Sequence, residues 1–435
     1  MSRMISCASS PIRIRGMVRF MVVIFLFALA IRVGLLFLLP NFDFIKPMEM
    51  ERVARSFAEK GQLANPYATP TGATAHVLPL YPVLLGTIYR IWGTGPTGRM
   101  AQGLFSCTLA ALRCALLCPL ALFLGLDRRT AWLASIVSAF YIPAFGTEIR
   151  GSWDAPLAAL FLMGLVCLAV LVARRRELSF PAAAGCGLCV GLAALLSSTL
   201  LVASAGFAAA GAWVFRRRWL RYLAWCGVCF VIVMLCLTPW ALRNRRQLGK
   251  TIWLRSNFGL ELWQAYHEGA GIGALETSLR HHPALSVEDS SRLGALGEVR
   301  YHESLEREAW RWIAGNPQKA AQLFAGHVIY FWFPPGQSFP IRLLRWLLTA
   351  VAGYGMWLLL ARKAPAGYTL AVLWIVYPPI YYVVYWSSRY RYPMEWALVL
   401  AAATVPSALW PKYGSGLLAR VHLERSIPNF LSSSA

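Results

Sequence analysis

NFDFIKPMEMERVARSFAEKGQLANPYATPTGATAHVLPLYPVLLGTIYRIWGTGPTGR, residues 41–99, follows the first hydrophobic run of the chain, and its reading decides how every later segment is threaded. It opens with an acidic cluster, Asp43, Glu49 and Glu51. Pro47 suits the first position of a helix, and Met50, Val53, Ala54, Phe57 and Ala58 make one apolar stripe that Gly61 closes. Such a helix lies along a membrane surface. The aromatic run Leu78 to Trp92 is about 15 residues, short of the ~20 needed to cross a bilayer. It reads as a second interfacial or re-entrant helix. Counting it as a crossing would invert every later loop and put the strong basic clusters outside.

The rest of the chain is mostly apolar. Of 435 residues 58% are hydrophobic and 14% charged, and the mean hydropathy is +0.52, too apolar for a soluble protein of this size. The formal net charge of +23 sits in short clusters between apolar runs, the pattern of positive-inside topology and not of a nucleic-acid partner. The 10 cysteines include pairs at CxxC spacing within apolar runs, Cys186/Cys189 and Cys226/Cys229. They read as small core residues, neither a disulfide framework nor a metal site. The first run, Val18 to Leu39, reads as an uncleaved anchor.

Arg3, Arg13, Arg15 and Arg19 precede that anchor, so the N-terminus is expected inside and the first loop outside. Further crossings are expected at 100–124, 130–147, 155–173, 180–197, 200–215, 220–240, 343–360, 368–386 and 394–409. The expected fold is all-α and integral to the membrane, one unit over 1–410 with about ten transmembrane helices. External loops fall at 41–99, 148–154, 241–342 and 387–393, and a basic cytoplasmic tail at 411–435. Within the long loop, Asp289, Ser290 or Ser291 is expected to cap a helix running to Gly315, and His281-His282 reads as a solvated pair. Arg32 and Arg113 lie inside spans, where an arginine snorkels or pairs with a carboxylate.

Two external places concentrate carboxylates: Asp43/Glu49/Glu51, and Glu148 with Asp154. Glu49 suits a helix N-terminus electrostatically, or serves as a general base. Asp154 is equally placed to cap the next helix. Two external clusters are basic, against the charge rule. One is Arg243-Asn244-Arg245-Arg246 with Lys250, and the other is Arg389-Tyr390-Arg391. The planar arginine fork bonds two phosphate oxygens at once, so both clusters suit a lipid phosphate.

The ordered set Glu49, Ala54-Arg55-Ser56-Phe57, Asn65-Pro66-Tyr67, Thr71 to His76 and Pro79-Leu80-Tyr81-Pro82, with Pro239-Trp240, Arg243-Asn244 and Arg389-Tyr390-Arg391, resembles the bacterial multi-pass GT-C glycosyltransferases. Protein O-mannosyltransferases and lipid A aminoarabinose transferases belong to that group. The resemblance implies a sugar carried on a polyprenyl phosphate and transferred, with inversion, on the external face of the bacterial inner membrane to a lipid, glycan or protein. No nucleic acid, metal or cofactor is expected. It implies a catalytic first-loop acid, which maps best onto Glu49, and a second acid at Asp154 or Glu148. The adjacent Asp-Glu pair of the mannosyltransferases is missing, so Asp43 and Glu51 stay in contention. Donor-site residues are expected among Arg243, Asn244, Arg245, Lys250, Arg389, Tyr390, Arg391, His76 and Tyr81. A flippase of lipid-linked saccharides and a non-catalytic envelope-assembly subunit are the rival readings, the former needing a polar path through the bundle.

Overall fold

The computed structural model describes residues 11–38, 48–151, 153–273, 281–335 and 338–408. Asp43 and the segment 411–435 lie outside the described residues. Those described form helices joined by short loops, with two isolated β-bridges and no strand.

Helix α1 (Pro11–Leu38) is followed by the amphipathic α2 (Glu49–Lys60) and by α3 (Leu80–Trp92). Helix α2 ends at Gly61, which adopts φ 69° and donates its N–H to Phe57 O, a conformation an L side chain resists. It buries Met50, Val53 and Ala54 toward the core, the stripe expected from the sequence. Its partner is α3, and the two approach closely at Gly86. A Cβ there would come within 2.7 Å of Phe57 Cδ1 and 2.8 Å of Ala54 O. At 13 residues α3 is roughly 20 Å long, too short to cross alone.

The bundle continues through α4 (Pro96–Phe123), α5 (Arg128–Phe140), α6 (Ile142–Arg150), α7 (Ala155–Arg175), α8 (Phe180–Leu196), α9 (Ser198–Val214) and α10 (Trp219–Leu248). Five helical segments are long and apolar enough to span a membrane: Arg15–Leu38, Pro96–Phe123, Ala155–Arg175, Arg216–Leu248 and Phe339–Ala361. Helices α5 and α6 make a sixth if their pair, bent by 60°, is one span. The bend falls at Tyr141, just before Pro143, whose ring removes a helix donor. Helices α8 and α9 are apolar but shorter, at 17 residues each.

Four helices follow α10 in the chain: α11 (Phe258–Ala265), α12 (Val287–Leu296), α13 (Glu298–Gly315) and α14 (Pro317–Trp332). One continuous helix was expected over 289–315. Instead Gly297 at φ 80° divides it, and Ser286 caps the first part by accepting from Asp289 N. Glycine reaches that conformation without a Cβ clash, so the chain turns there. After α15 (Phe339–Ala361) and α16 (Pro365–Val376), Pro378 and Pro379 break the expected span 368–386. The short turns Ser388–Arg391 and Tyr392–Met394 lead into a last helix over 395–408, most of which is buried.

Candidate active site

Where α7, the α8–α9 junction, the segment before α11 and the turn before the last helix converge, they enclose a cavity of about 320 Å³. Trp153 and Asp154 reach it from the start of α7, and Arg255 and Glu261 from the segment around α11. Arg389 and Tyr390 come from the last turn, and Met50 from α2. The Arg389 guanidinium lies 3.5 Å from the centre of the Trp153 ring and donates to Tyr390 Oη at 3.2 Å. Tyr390 Oη in turn donates to Glu261 at 3.3 Å. Arg255 stands 3.8 Å from Asp154, a loose ion pair. Burial raises the Asp154 carboxyl above the ordinary carboxylate range, opposed by the charges of Arg255 and Arg389. The cavity therefore offers two guanidiniums to an anion beside a carboxylate whose basicity is raised.

A second cluster lies behind this wall. Glu49 Oε1 is 3.1 Å from His282 Nε2 and 3.9 Å from His76 Nε2, and all three side chains are buried. His76 Nδ1 meets Tyr67 Oη at 3.0 Å, and Tyr67 reaches His302 at 3.3 Å. Burial drives His76 well below the ordinary histidine range, helped by His302 and His282, and lowers His302 to about 3. Burial thus favours the neutral imidazole at both positions. Glu49 Oε2 is buried without a hydrogen-bond partner. One ligand atom each from Glu49, His76 and His282 falls within 4.8 Å of the others. Two imidazoles and a carboxylate are a donor set that suits zinc or a similar divalent ion. His282 is thus not the solvated residue expected from the sequence. Glu49 acts electrostatically on Arg389, and Arg255 and Arg389 act on His76, so the two clusters adjoin.

The loop that carries His76 is pinned from several sides. Asn65 adopts φ 56°, and its Oδ1 accepts from Thr71 N and Gly72 N. Buried Glu298 accepts from the Thr74 hydroxyl, from Ala75 N at 2.8 Å and from Ser256 Oγ at 2.6 Å. Ser256 N also donates to Ala75 O at 3.0 Å. Arg255 is held in register with the first loop by these contacts of its neighbour.

The other expected site residues are spread around this centre. Glu51 pairs with Arg55 at 2.7 Å on α2. Tyr81 Oη donates to Gly151 O at 2.6 Å. Glu148 is fully buried and bonded to Arg32, Arg113 and Tyr392, away from the cavity. Arg243 donates to Leu63 O at 2.5 Å and Thr74 O at 2.6 Å, a brace for the first loop. Asn244 donates to Ile252 O at 2.9 Å, Arg245 is exposed, and Lys250 pairs with Glu303 at the surface. Arg391 is buried, 3.6 Å from Glu395, and donates to Trp332 O at 2.8 Å. Of the two basic clusters only Arg389 and Tyr390 line the cavity. Arg255, Glu261 and His302 were not singled out from the sequence. The one available signal was an isolated arginine in the aromatic, apolar stretch Ile252 to Phe258.

No protein-family model matches the sequence, and no curated protein matches it. Solved structures do match its fold. Archaeal oligosaccharyltransferase AglB from Archaeoglobus fulgidus, in complex with an inhibitory peptide and a dolichol-phosphate, superposes with TM-score 0.55 at 14% identity, over 97% of this chain and 53% of that one. The apo oligosaccharyltransferase from Archaeoglobus fulgidus gives TM-score 0.54 at 14% identity, over 98% and 54%. The form tethered to an acceptor peptide containing the NVT sequon gives 0.51 at 14%, over 95% and 51%. The chain spans about half the length of the proteins it matches. The described residues share their helical fold with these oligosaccharyltransferases over that length.

Proposed function

We propose that this protein is a membrane glycosyltransferase. It takes a sugar from a polyprenyl-phosphate donor and places it on a hydroxyl of a glycan, lipid or protein at the outer face of a bacterial plasma membrane. The observation that carries this reading is the meeting of Arg255, Arg389 and Asp154 in one cavity of a GT-C fold. The structural neighbour with dolichol-phosphate supports a lipid-linked donor. The helix directions support an orientation with the cavity outside. Asp154 at the start of α7 and Thr199 near the start of α9 line the cavity. Arg174 to Arg176 and Arg216 to Arg218 therefore lie at the opposite ends, the cytoplasmic side by the positive-inside rule. On this topology the chain makes about ten crossings, as one unit over 1–410 with a basic cytoplasmic tail.

In the proposed mechanism Arg255 and Arg389 grip the phosphate of the donor. The phosphate competes with Asp154 for Arg255, and at 3.8 Å no short hydrogen bond has to break. Asp154 then accepts the proton of the acceptor hydroxyl as its oxygen attacks the anomeric carbon. The bond from that carbon to the phosphate oxygen breaks, and its electron pair leaves on the phosphate. Direct displacement inverts the anomeric centre. The two guanidiniums stabilise the charge of the departing lipid phosphate. Glu49 is the competing base, because its Oε2 has no hydrogen-bond partner and it adjoins Arg389.

Mass spectrometry of lipid-linked sugars and envelope glycans from a strain lacking the protein tests the proposal. A polyprenyl-phosphate sugar should accumulate while one glycan modification disappears. Unchanged profiles of both would overturn it.

A further inference from the structure

One buried carboxylate outside the cavity lining gathers three donors from distant segments. Glu148, near the end of α6, accepts from Arg32 Nε, Arg113 Nη2 and Tyr392 Oη, each at 2.8 Å. Arg32 also donates to Ala28 O and Ala139 O at 3.1 Å, which fixes its fork. The Arg113 guanidinium lies 4.9 Å from the centre of the Tyr392 ring. None of these four side chains is more than 1% exposed. Ionisable groups inside a membrane bundle persist where their partners are satisfied and their arrangement matters.

Two chain segments leave this knot, and both lead to the cavity. From Glu148 the chain passes Gly151, at φ 61°, and reaches Trp153 and Asp154. The Gly151 turn has no slack. Its carbonyl accepts from Tyr81, and a Cβ on it would lie 3.0 Å from Gln102 O. From Tyr392, going backward through one tight turn, the chain reaches Arg389 and Tyr390. Arg389 then closes the ring by stacking on Trp153 at 3.5 Å.

We infer that Glu148 and Tyr392 are positioning residues: their hydrogen bond sets the spacing between the Trp153–Asp154 segment and Arg389, and so the fit of the cavity to a lipid-linked phosphate. Arg32 and Arg113 hold Glu148 in place for that bond. The inference rests on the proposed role of Arg389 as a phosphate ligand. It makes the carboxylate of Glu148 a structural acceptor for three donors and not the acid or base of the reaction.

The test uses the full-length protein in detergent, with polyprenyl monophosphate as the probe, since that product is common to any sugar. Its Kd is measured for wild type, Tyr392→Phe, Arg389→Lys and the double variant, each with a melting curve. Tyr392→Phe removes one hydroxyl and keeps the ring beneath Arg113, so it should fold. It should weaken binding severalfold, with about tenfold as the ceiling set by the worth of one hydrogen bond to a charged group. If the bond acts through Arg389, the double variant should bind more tightly than the product of the two single losses predicts. Full additivity, or a Tyr392→Phe protein with wild-type Kd, would overturn the inference while leaving the donor site standing. If Arg389→Lys and Arg389→Ala both keep wild-type Kd, the donor-site reading fails first, and this inference with it. Glu148→Gln is the harsher companion; should it misfold, the Tyr392→Phe cycle decides alone.

Discussion

Asp154→Asn separates chemistry from architecture at the proposed centre. The change keeps the size of the side chain and removes its ability to take a proton. Asp154 makes no side-chain cap bond to α7, so asparagine sacrifices no helix cap. The ion pair with Arg255 is 3.8 Å long, with side chains 15% and 24% exposed, and such a pair contributes at most about 1 kcal/mol to stability. General base catalysis commonly supplies roughly 10²- to 10⁴-fold in rate, about 2.7–5.4 kcal/mol of barrier. The chemical loss thus exceeds the structural one by a wide margin. The assay is single-turnover release of polyprenyl phosphate in proteoliposomes, with donor lipid recovered from a strain lacking the protein. Asp154→Asn should bind polyprenyl monophosphate at least as well as wild type, because a competing anion is gone, yet turn over at least a hundredfold more slowly. A folded, donor-binding Asp154→Asn protein with wild-type turnover would refute the reasoning. If Glu49→Gln alone then abolished turnover, the base would be Glu49.

Other outcomes follow from the same geometry. Arg255→Ala and Arg389→Ala should each weaken binding of polyprenyl monophosphate by about ten- to a hundredfold, the scale of a charged hydrogen bond, whereas Arg243→Ala should lower the melting temperature and leave that Kd nearly unchanged. Turnover should fall on the acid side, because Asp154 must be ionised to act. Burial raises its carboxyl, so the half-maximal point of the pH–rate profile should lie above the ~3.9 of a free aspartate, and a limb at or below that value would count against it. His302, lowered to about 3 by burial, is neutral when folded and protonates below ~6.5 when unfolded. Its contribution is complete above pH 6.5 and is lost as pH falls toward 3. The folded state should therefore lose stability as pH falls below ~6.5, and His302→Asn should reduce that loss in a denaturation series. Elemental analysis of protein purified without chelator should find close to one equivalent of a divalent metal, lost in His282→Ala; metal-free wild type would leave Glu49, His76 and His282 as a hydrogen-bonding cluster only. Cysteine labelling should find position 70 external and position 217 cytoplasmic, and the reverse pattern would overturn the topology.

Much of the scaffold was legible in the order of residues. Runs such as Val18 to Leu39 and Leu220 to Trp240 announce spanning helices by length alone, because a bilayer leaves backbone groups no other partners. The apolar stripe of α2 and the place of Gly61 were equally local, set by helical period and by glycine's freedom at positive φ. Arg32 and Arg113 had to snorkel or find a carboxylate, since an unpaired guanidinium in that setting is too costly, and the structure gives them the carboxylate. Which carboxylate answered them was a matter of tertiary structure. Nothing local tells Glu148, locked beneath two arginines, from Asp154, open to a cavity six residues on. Arg243 and Arg389 likewise read alike in sequence, each beside aromatic residues at a membrane boundary. The fold turns the first onto the carbonyls of Leu63 and Thr74, and the second over Trp153 toward the cavity. Arg255 showed only as an isolated arginine in an aromatic stretch, and the grouping of Glu49, His76 and His282 had no signature at all, because their partners come from distant segments brought together by packing. Apolar period and charge bias are local physics and survive in one dimension, whereas a site is a set of distances between segments that only the closed bundle brings together.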